Sequence, residues 1–238
     1  MEILSSVRQF YANCTELLHE HKMHRIFDGN FRGVRMMKHM VDLCSGLGGA
    51  SEAFVQHENW NVLRIDNNQL LADVPCTVIQ SLEVTRDSVM RGGWHPKIDF
   101  IWASPPCTAF SGGFASPKSI ASREIGLENY KPDMTLLHLC KQIIDIVQPK
   151  YWCIENVVGA IRYFTPILGE PKQIIGPYVL WGNFPTIDCN AEMIIPKKLK
   201  DTNSRDPLRS NRRAKVDFAI SQAMREAIDS QSSILDFM

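Results

Sequence analysis

A cysteine set directly after two prolines, in ASPPCTAFS at residues 103–111, is the first arrangement in this 238-residue chain that asks for a chemical reason. Proline fixes φ and lacks a backbone N–H, so the chain arrives at Cys107 on a set heading. A thiol near neutral pH is only slightly ionised, and it becomes an effective nucleophile beside a helix N-terminus or a positive group. The competing reading is a buried cysteine acting as a small hydrophobe. Glu155 raises a second question, because it sits in the apolar run WCIENV. A carboxyl in such surroundings is paired, hydrogen-bonded or protonated, and the protonated form donates to a ring nitrogen. Satisfaction by backbone amides is the structural alternative.

Two further features belong together. VDLCS runs into Gly46-Leu47-Gly48-Gly49, and Asp66 follows 20 residues after Gly46. A glycine turn between a strand and a helix lets backbone approach a ligand, and an acid about 20 residues on is the usual partner of ribose hydroxyls. The pair suggests an adenosine-containing cofactor. The turn is neither G-x-G-x-x-G nor a phosphate loop, so a tight structural turn stays open.

Positioning these groups needs a particular scaffold. VDLCS, NVLRID, CTVIQ, IDFIWAS and YWCIENV are apolar runs of strand length, while Met134, Leu137, Cys140, Ile143, Ile144 and Val147 repeat with helical period. Strand, helix, strand in that order predicts a parallel crossover and an α/β open sheet, with ligands outside the carboxyl ends of the strands. The glycine turn and the Pro-Pro-Cys loop follow predicted strands, while Asp66 and Glu155 lie at the ends of two others. An amphipathic helix is expected over residues 3–18, a mobile loop over 113–131, and a closing helix near 217–229. The predicted organisation is an N-terminal helical cover (1–38), a catalytic core (39–185), a basic segment (186–215) and a C-terminal helix packing back on the core (216–238).

Composition excludes several classes. Charged residues are 22% and hydrophobic residues 45%, ordinary values for a globular chain. The N-terminus has no uninterrupted apolar run, so neither a leader nor a membrane anchor is expected, and a cytoplasmic location follows. The seven cysteines contain no C-x-x-C pair, which predicts reduced thiols and no metal site. Net charge is zero, yet residues 197–215 hold eight basic side chains (Lys197, Lys198, Lys200, Arg205, Arg209, Arg212, Arg213, Lys215) against Asp201 and Asp206. That stripe could hold a polyanion or be a solvated loop.

In this order, VDLCSGLGGASEAF, SPPCTAFS and IENV resemble the cofactor loop, nucleophile loop and acid strand of the cytosine-5 DNA methyltransferases. The resemblance implies a Rossmann-like sheet of the S-adenosylmethionine-dependent methyltransferase type. It also implies a reaction in which Cys107 adds to C6 of cytosine and Glu155 hydrogen-bonds N3, with S-adenosyl-L-methionine as methyl donor. Carried over residue by residue, Cys44, Ser45, Gly46, Leu47, Gly48, Gly49, Asp66, Asn67, Glu83 and Pro105 are expected at the cofactor. Ser104, Pro106 and Asn156 are expected at the substrate. Two departures stand out. Where relatives carry an Arg-x-Arg pair before an aromatic-Trp-Gly-Asn segment, this chain has Gly176 and Tyr178. Only about 30 residues, 186–215, stand where the family inserts a recognition domain. Either Arg209, Arg212 or Arg213 then holds the target ring, or turnover is compromised. The substrate is DNA, duplex or single-stranded, with a free cytosine nucleotide such as dCMP as the rival and an inactive DNA-binding or regulatory member as a third reading. Small members of this type resemble those of phages and bacteria.

Overall fold

The computed structural model describes residues 37–92, 97–114, 116–195 and 205–235. The helix expected over 3–18 and Lys197, Lys198 and Lys200 lie outside them.

Seven strands form one sheet: β1 (Lys38–Leu43), β2 (Trp60–Asp66), β3 (Thr77–Ile79), β4 (Phe100–Ala103), β5 (Tyr151–Val157), β6 (Gln173–Ile175) and β7 (Tyr178–Asn183). Their spatial order is β3-β2-β1-β4-β5-β7-β6. The first five pair in parallel, and β7 inserts antiparallel between β5 and β6. The expected α/β open sheet of Rossmann-like type is therefore present.

Burial on both faces explains why the central strands read as continuous apolar runs. Successive side chains alternate between faces. Thus Val41 and Ile101 join one core with helix α4 (Thr135–Val147), whereas their neighbours Met40 and Phe100 join a second core under helix α7 (Phe218–Leu235). α4 buries Leu137, Leu139, Cys140, Ile143 and Ile144, the period seen in the sequence, and ends at Gln148 in the left-handed region at φ +49°.

The closing helix packs back as its pattern suggests. Ser221 donates to the Ala50 carbonyl at 2.7 Å and accepts from the Ala53 amide at 3.0 Å, which couples α7 to the short helix α1 (Glu52–Val55) after the glycine turn. Asp229 accepts from Lys38 at 2.7 Å and from the Trp60 indole at 3.1 Å, tying the helix to β1 and β2. Burial raises the Asp229 carboxyl, but Lys38, Trp60 and Arg225 outweigh it and hold the group below its ordinary value.

One expectation needs correction. Residues 113–131 are not all loop, because helix α3 (Pro117–Glu124) stands inside them, with Ser116 as N-cap and Pro117 in the first turn. It buries no residue, so the sequence carries no apolar stripe to announce it. Among the described residues, no helix is long and apolar enough to cross a membrane, and no group of metal-binding side chains occurs.

Candidate active site

β4 and β5 run in parallel with Ala103 beside Ile154, so their chains leave the sheet next to one another. Cys107 lies four residues beyond Ala103, and Glu155 is the residue after Ile154. What fixes the loop against the strand is Asn156, 1% exposed, whose amide donates to the Pro105 carbonyl at 2.8 Å. Its side-chain oxygen accepts from the Val157 amide at 2.9 Å. Asn156, expected to touch the substrate, therefore has both ends of its amide engaged in the protein.

The loop is held at further points. Ser104 extends the β1–β4 pairing by donating from its amide to the Leu43 carbonyl at 3.0 Å, and its hydroxyl accepts from the Trp102 indole at 2.8 Å. The Cys107 carbonyl accepts from the amides of Phe110 and Ser111, both at 3.0 Å, closing a tight turn. Phe110 then enters an aromatic cluster with two residues of helix α5 (Ile161–Leu168), Tyr163 at 5.7 Å and Phe164 at 5.0 Å between ring centroids. Tyr130 donates to the Ala109 carbonyl at 3.0 Å. Gly159 is required beneath the loop, since a Cβ there would collide with the Phe110 carbonyl and stand 2.8 Å from Lys118 Nζ. Pro105 is buried, Pro106 exposed and Cys107 half-buried. A cavity of about 180 Å³ beside the two prolines is closed by Leu136, Leu137 and Phe164, with Asp133 among its lining.

Glu155 is 7% exposed and shares its face of the sheet with Tyr178, which is 3% exposed. Burial pushes the Tyr178 phenol well up, and the neighbouring charges of Glu155 and Asp217 add to the effect. The phenol donates to the Lys215 carbonyl at 3.3 Å. Gly176 holds φ +55° between β6 and β7. The two positions aligned with the missing arginines are thus a turn glycine and a buried phenol.

The glycine turn follows β1 with positive φ at Cys44 (+56°), Gly46 (+52°) and Gly48 (+71°). Asp66, at the end of β2, accepts from the Gly46 amide at 2.8 Å through one oxygen and from the Asn68 amide at 3.0 Å through the other. Arg64 supports the turn from below. Its guanidinium donates to the Gly48 carbonyl at 2.9 Å, the Ser51 hydroxyl at 2.8 Å and the Pro75 carbonyl at 2.9 Å. Ser51 donates in turn to Asp42 at 2.6 Å. Burial raises Asp42 to about 6, against the lowering effects of Ser51 and Arg64. A Cβ on Gly48 would come within 2.6 Å of Arg64 Nη2, so the turn and its support exclude any other residue there.

The residues present fit an adenosine-bearing cofactor in one specific respect: Ser45 Oγ is buried in this turn with no hydrogen-bond partner among the described residues. Cys44 abuts Cys140, and that contact followed by burial pushes its thiol well up, so it stays protonated and unreactive. Leu47 and Gly49 complete the turn, and a Cβ on Gly49 would stand 2.7 Å from Lys215 Cγ. Asn67 is exposed beside Asp66, and Glu83 is exposed in the first turn of helix α2 (Leu82–Met90), just past β3. Its own backbone amide, followed by the Ser81 hydroxyl, lowers its carboxyl.

Helix α6 (Arg209–Ala214) carries Arg209, Arg212 and Arg213, and Arg212 pairs with Asp206. The segment also reaches the glycine turn and the helix after it, with Asn211 facing Gly46 and Lys215 bridging to Glu52 at 2.8 Å. Asp42, Ser51 and Arg64 were not anticipated. The signal existed, since a charge inside an apolar strand, the argument applied to Glu155, holds equally for VDLCS and NVLRID.

Comparison with known proteins gives this geometry a family. The family model described as C-5 cytosine-specific DNA methylase matches residues 38–163, from β1 through the residues that follow β5. A protein of Frog virus 3 (isolate Goorha) described as a probable DNA (cytosine-5)-methyltransferase is 30% identical over 123 residues, 49% of this chain. The chain covers 52% of that relative. A prophage-encoded chain from E. coli, described as a candidate DNA modification methyltransferase, superposes with a TM-score of 0.41 at 17% identity, over 67% of this chain and 51% of that one. With more than half of its 238 residues under the family model, and with the glycine turn, cysteine loop and acid strand at the carboxyl ends of the adjacent strands β1, β4 and β5, the chain belongs to the C-5 cytosine-specific DNA methylases.

Proposed function

We propose that the protein transfers a methyl group from S-adenosyl-L-methionine to C5 of cytosine in DNA. The observation that carries this reading is the Asn156–Pro105 hydrogen bond of 2.8 Å, which fastens the Pro-Pro-Cys loop to the strand bearing Glu155. A nucleophile and an acid are thereby fixed to one another, and fixed geometry between reacting groups supplies much of a catalyst's effect.

In this reading Cys107 adds as thiolate to C6 of the ring. Glu155, 7% exposed, holds or protonates N3, absorbing the charge that makes C5 nucleophilic. S-adenosyl-L-methionine supplies the methyl group received by C5. Loss of the C5 proton then expels Cys107 and restores the aromatic ring. Asp66 and the turn from Cys44 to Gly49 would hold the cofactor, and Arg64 keeps that turn in shape. C6 is inaccessible in stacked duplex DNA, so a duplex substrate requires the base to be extruded.

The test is incubation of purified protein with methyl-labelled S-adenosylmethionine and, separately, duplex DNA, single-stranded DNA and dCMP. The expected product is labelled 5-methylcytosine in polymer. Label confined to dCMP would make this a nucleotide-modifying enzyme, and no label with any substrate would overturn the catalytic reading.

A further inference from the structure

The turn that carries Cys107 commits two of its amides to a carbonyl: Phe110 and Ser111 both donate to the Cys107 carbonyl at 3.0 Å. Donors at these two positions are therefore turned away from the sulfur, and a thiolate forms near neutral pH only in a positive field. The cation set against this turn is Lys118, in the first turn of α3. Its ammonium donates to the Gly159 carbonyl at 3.3 Å. A Cβ built on Gly159 would stand 2.8 Å from Lys118 Nζ and 2.1 Å from the Phe110 carbonyl oxygen, so the ammonium and the cysteine turn meet at one point. Cys107 and Phe110 are the two ends of a hydrogen-bonded turn, with Cα atoms within about 7 Å of one another. The ammonium is thus on the order of 10 Å from the sulfur.

Three features of this lysine point to a use for its charge. It is half-buried, and among the described residues no carboxylate pairs with it, so its field is not cancelled locally. It stands near the N-terminus of α3, where the helix dipole disfavours a cation, and that first turn holds no acid. α3 itself buries no residue, so core packing does not account for the helix.

We propose that Lys118 acts through Cys107, its charge favouring the thiolate that attacks the ring. The inference rests on Cys107 as the nucleophile, as read above, and adds the group that ionises it; the thiol proton passes to solvent and no other bond changes. Arg162, over the Tyr163 ring at 5.2 Å, acts in the same direction. Glu155, next to Ile154 on the neighbouring strand, and Asp133, in the cavity beside the prolines, oppose it. One charge at about 10 Å moves a titration by roughly 0.3 pH unit in a water-like medium and by about 1 pH unit at the dielectric typical of a protein surface.

The experiment follows alkylation of Cys107 in the full chain by iodoacetamide, in which a sulfur–carbon bond forms and iodide leaves. The rate is read against pH from the Cys107 peptide by mass spectrometry, so the remaining cysteines serve as internal controls. Lys118→Met is expected to raise the Cys107 midpoint by about half a pH unit at low salt, with alkylation near pH 7 about threefold slower. The difference should shrink in about 1 M salt, and Lys118→Arg should keep the wild-type midpoint. Melting temperatures of both variants are expected to stay close to that of the wild type, since α3 buries no residue. An unchanged midpoint in Lys118→Met would overturn the proposal. So would a rise that salt does not reduce or that Lys118→Arg shares, because either would make Lys118 a packing residue. Alkylation needs neither DNA nor cofactor, so absence of methyl transfer in the labelled assay would remove the catalytic reading without deciding this one.

Discussion

Asn156→Ala removes a side-chain hydrogen bond that ties the cysteine loop to the acid strand. The amide donates to the Pro105 carbonyl at 2.8 Å from a position 1% exposed, so truncation leaves that carbonyl and the Val157 amide without these partners. An unsatisfied buried polar group costs about 1–3 kcal/mol. In a chain of this size about 1 kcal/mol moves the melting temperature by about 2–4 °C, so a drop of about 2–12 °C is expected. The larger effect is on rate. Cys107 sits two residues beyond the released carbonyl, and a misplacement of about 1 Å at a reacting group costs on the order of a hundredfold. Asn156→Asp keeps the shape and the acceptor for Val157 but sets an oxygen against the Pro105 carbonyl, so it is expected to be at least as damaging. The assay pairs thermal melting with single-turnover methyl transfer. A side chain that only touched substrate would raise KM and leave both the melting temperature and the single-turnover rate at saturation unchanged, and that result would refute the positioning argument.

Gly159→Ala drives a methyl group into the Phe110 carbonyl beneath the cysteine turn, and methyl transfer is expected to fall at least tenfold while cofactor binding, measured by calorimetry, holds within about twofold. Arg64→Met strips three hydrogen bonds from under the glycine turn, so cofactor affinity is expected to fall more than tenfold and stability by several kcal/mol, with urea denaturation as the check. Asp42 gives a pH dependence of defined sign. Its folded-state value of about 6 lies above its ordinary 3.8, so the folded state holds the proton more tightly and stability falls as pH rises between these values. The fall amounts to about 3 kcal/mol at roughly 1.4 kcal/mol per pH unit, and it should disappear in Asp42→Asn, which cannot ionise. Parallel denaturation profiles for the two proteins from pH 4 to 7 would contradict this.

The strand ends were legible because the central sheet is buried on both faces. VDLCS, NVLRID and IDFIWAS carry apolar side chains at nearly every position, and the glycines and prolines that stop them are where the chain must turn. The positions of Cys107 after β4, and of Asp66 and Glu155 toward the carboxyl ends of β2 and β5, could be read from where the apolar runs stop. Pairing order was less legible. That β7 enters between β5 and β6 depends on contacts such as Ile154 beside Trp181, across a sequence distance that no local pattern encodes. α3 was missed because it lies on the surface, and hydrophobic period reports only burial. The Asp42–Ser51–Arg64 support was missed because its members come from three separate segments. The position of α6 depends on a meeting of Asn211 with Gly46, which only the closing of α7 onto α1 brings about.

The central claim is that Cys107 forms a bond to C6 of a cytosine before the methyl group is accepted. Fluorine at C5 cannot leave as a proton, so DNA containing 5-fluorocytosine should arrest the reaction with the protein still attached. Incubation with S-adenosylmethionine and such a duplex, followed by denaturing electrophoresis and mass spectrometry, is expected to give a covalent protein–DNA species whose cross-linked peptide contains Cys107. Cys107→Ser should give none. A covalent species that persists in Cys107→Ser, or methylated cytosine formed in ordinary DNA by that variant at the wild-type rate, would contradict the account.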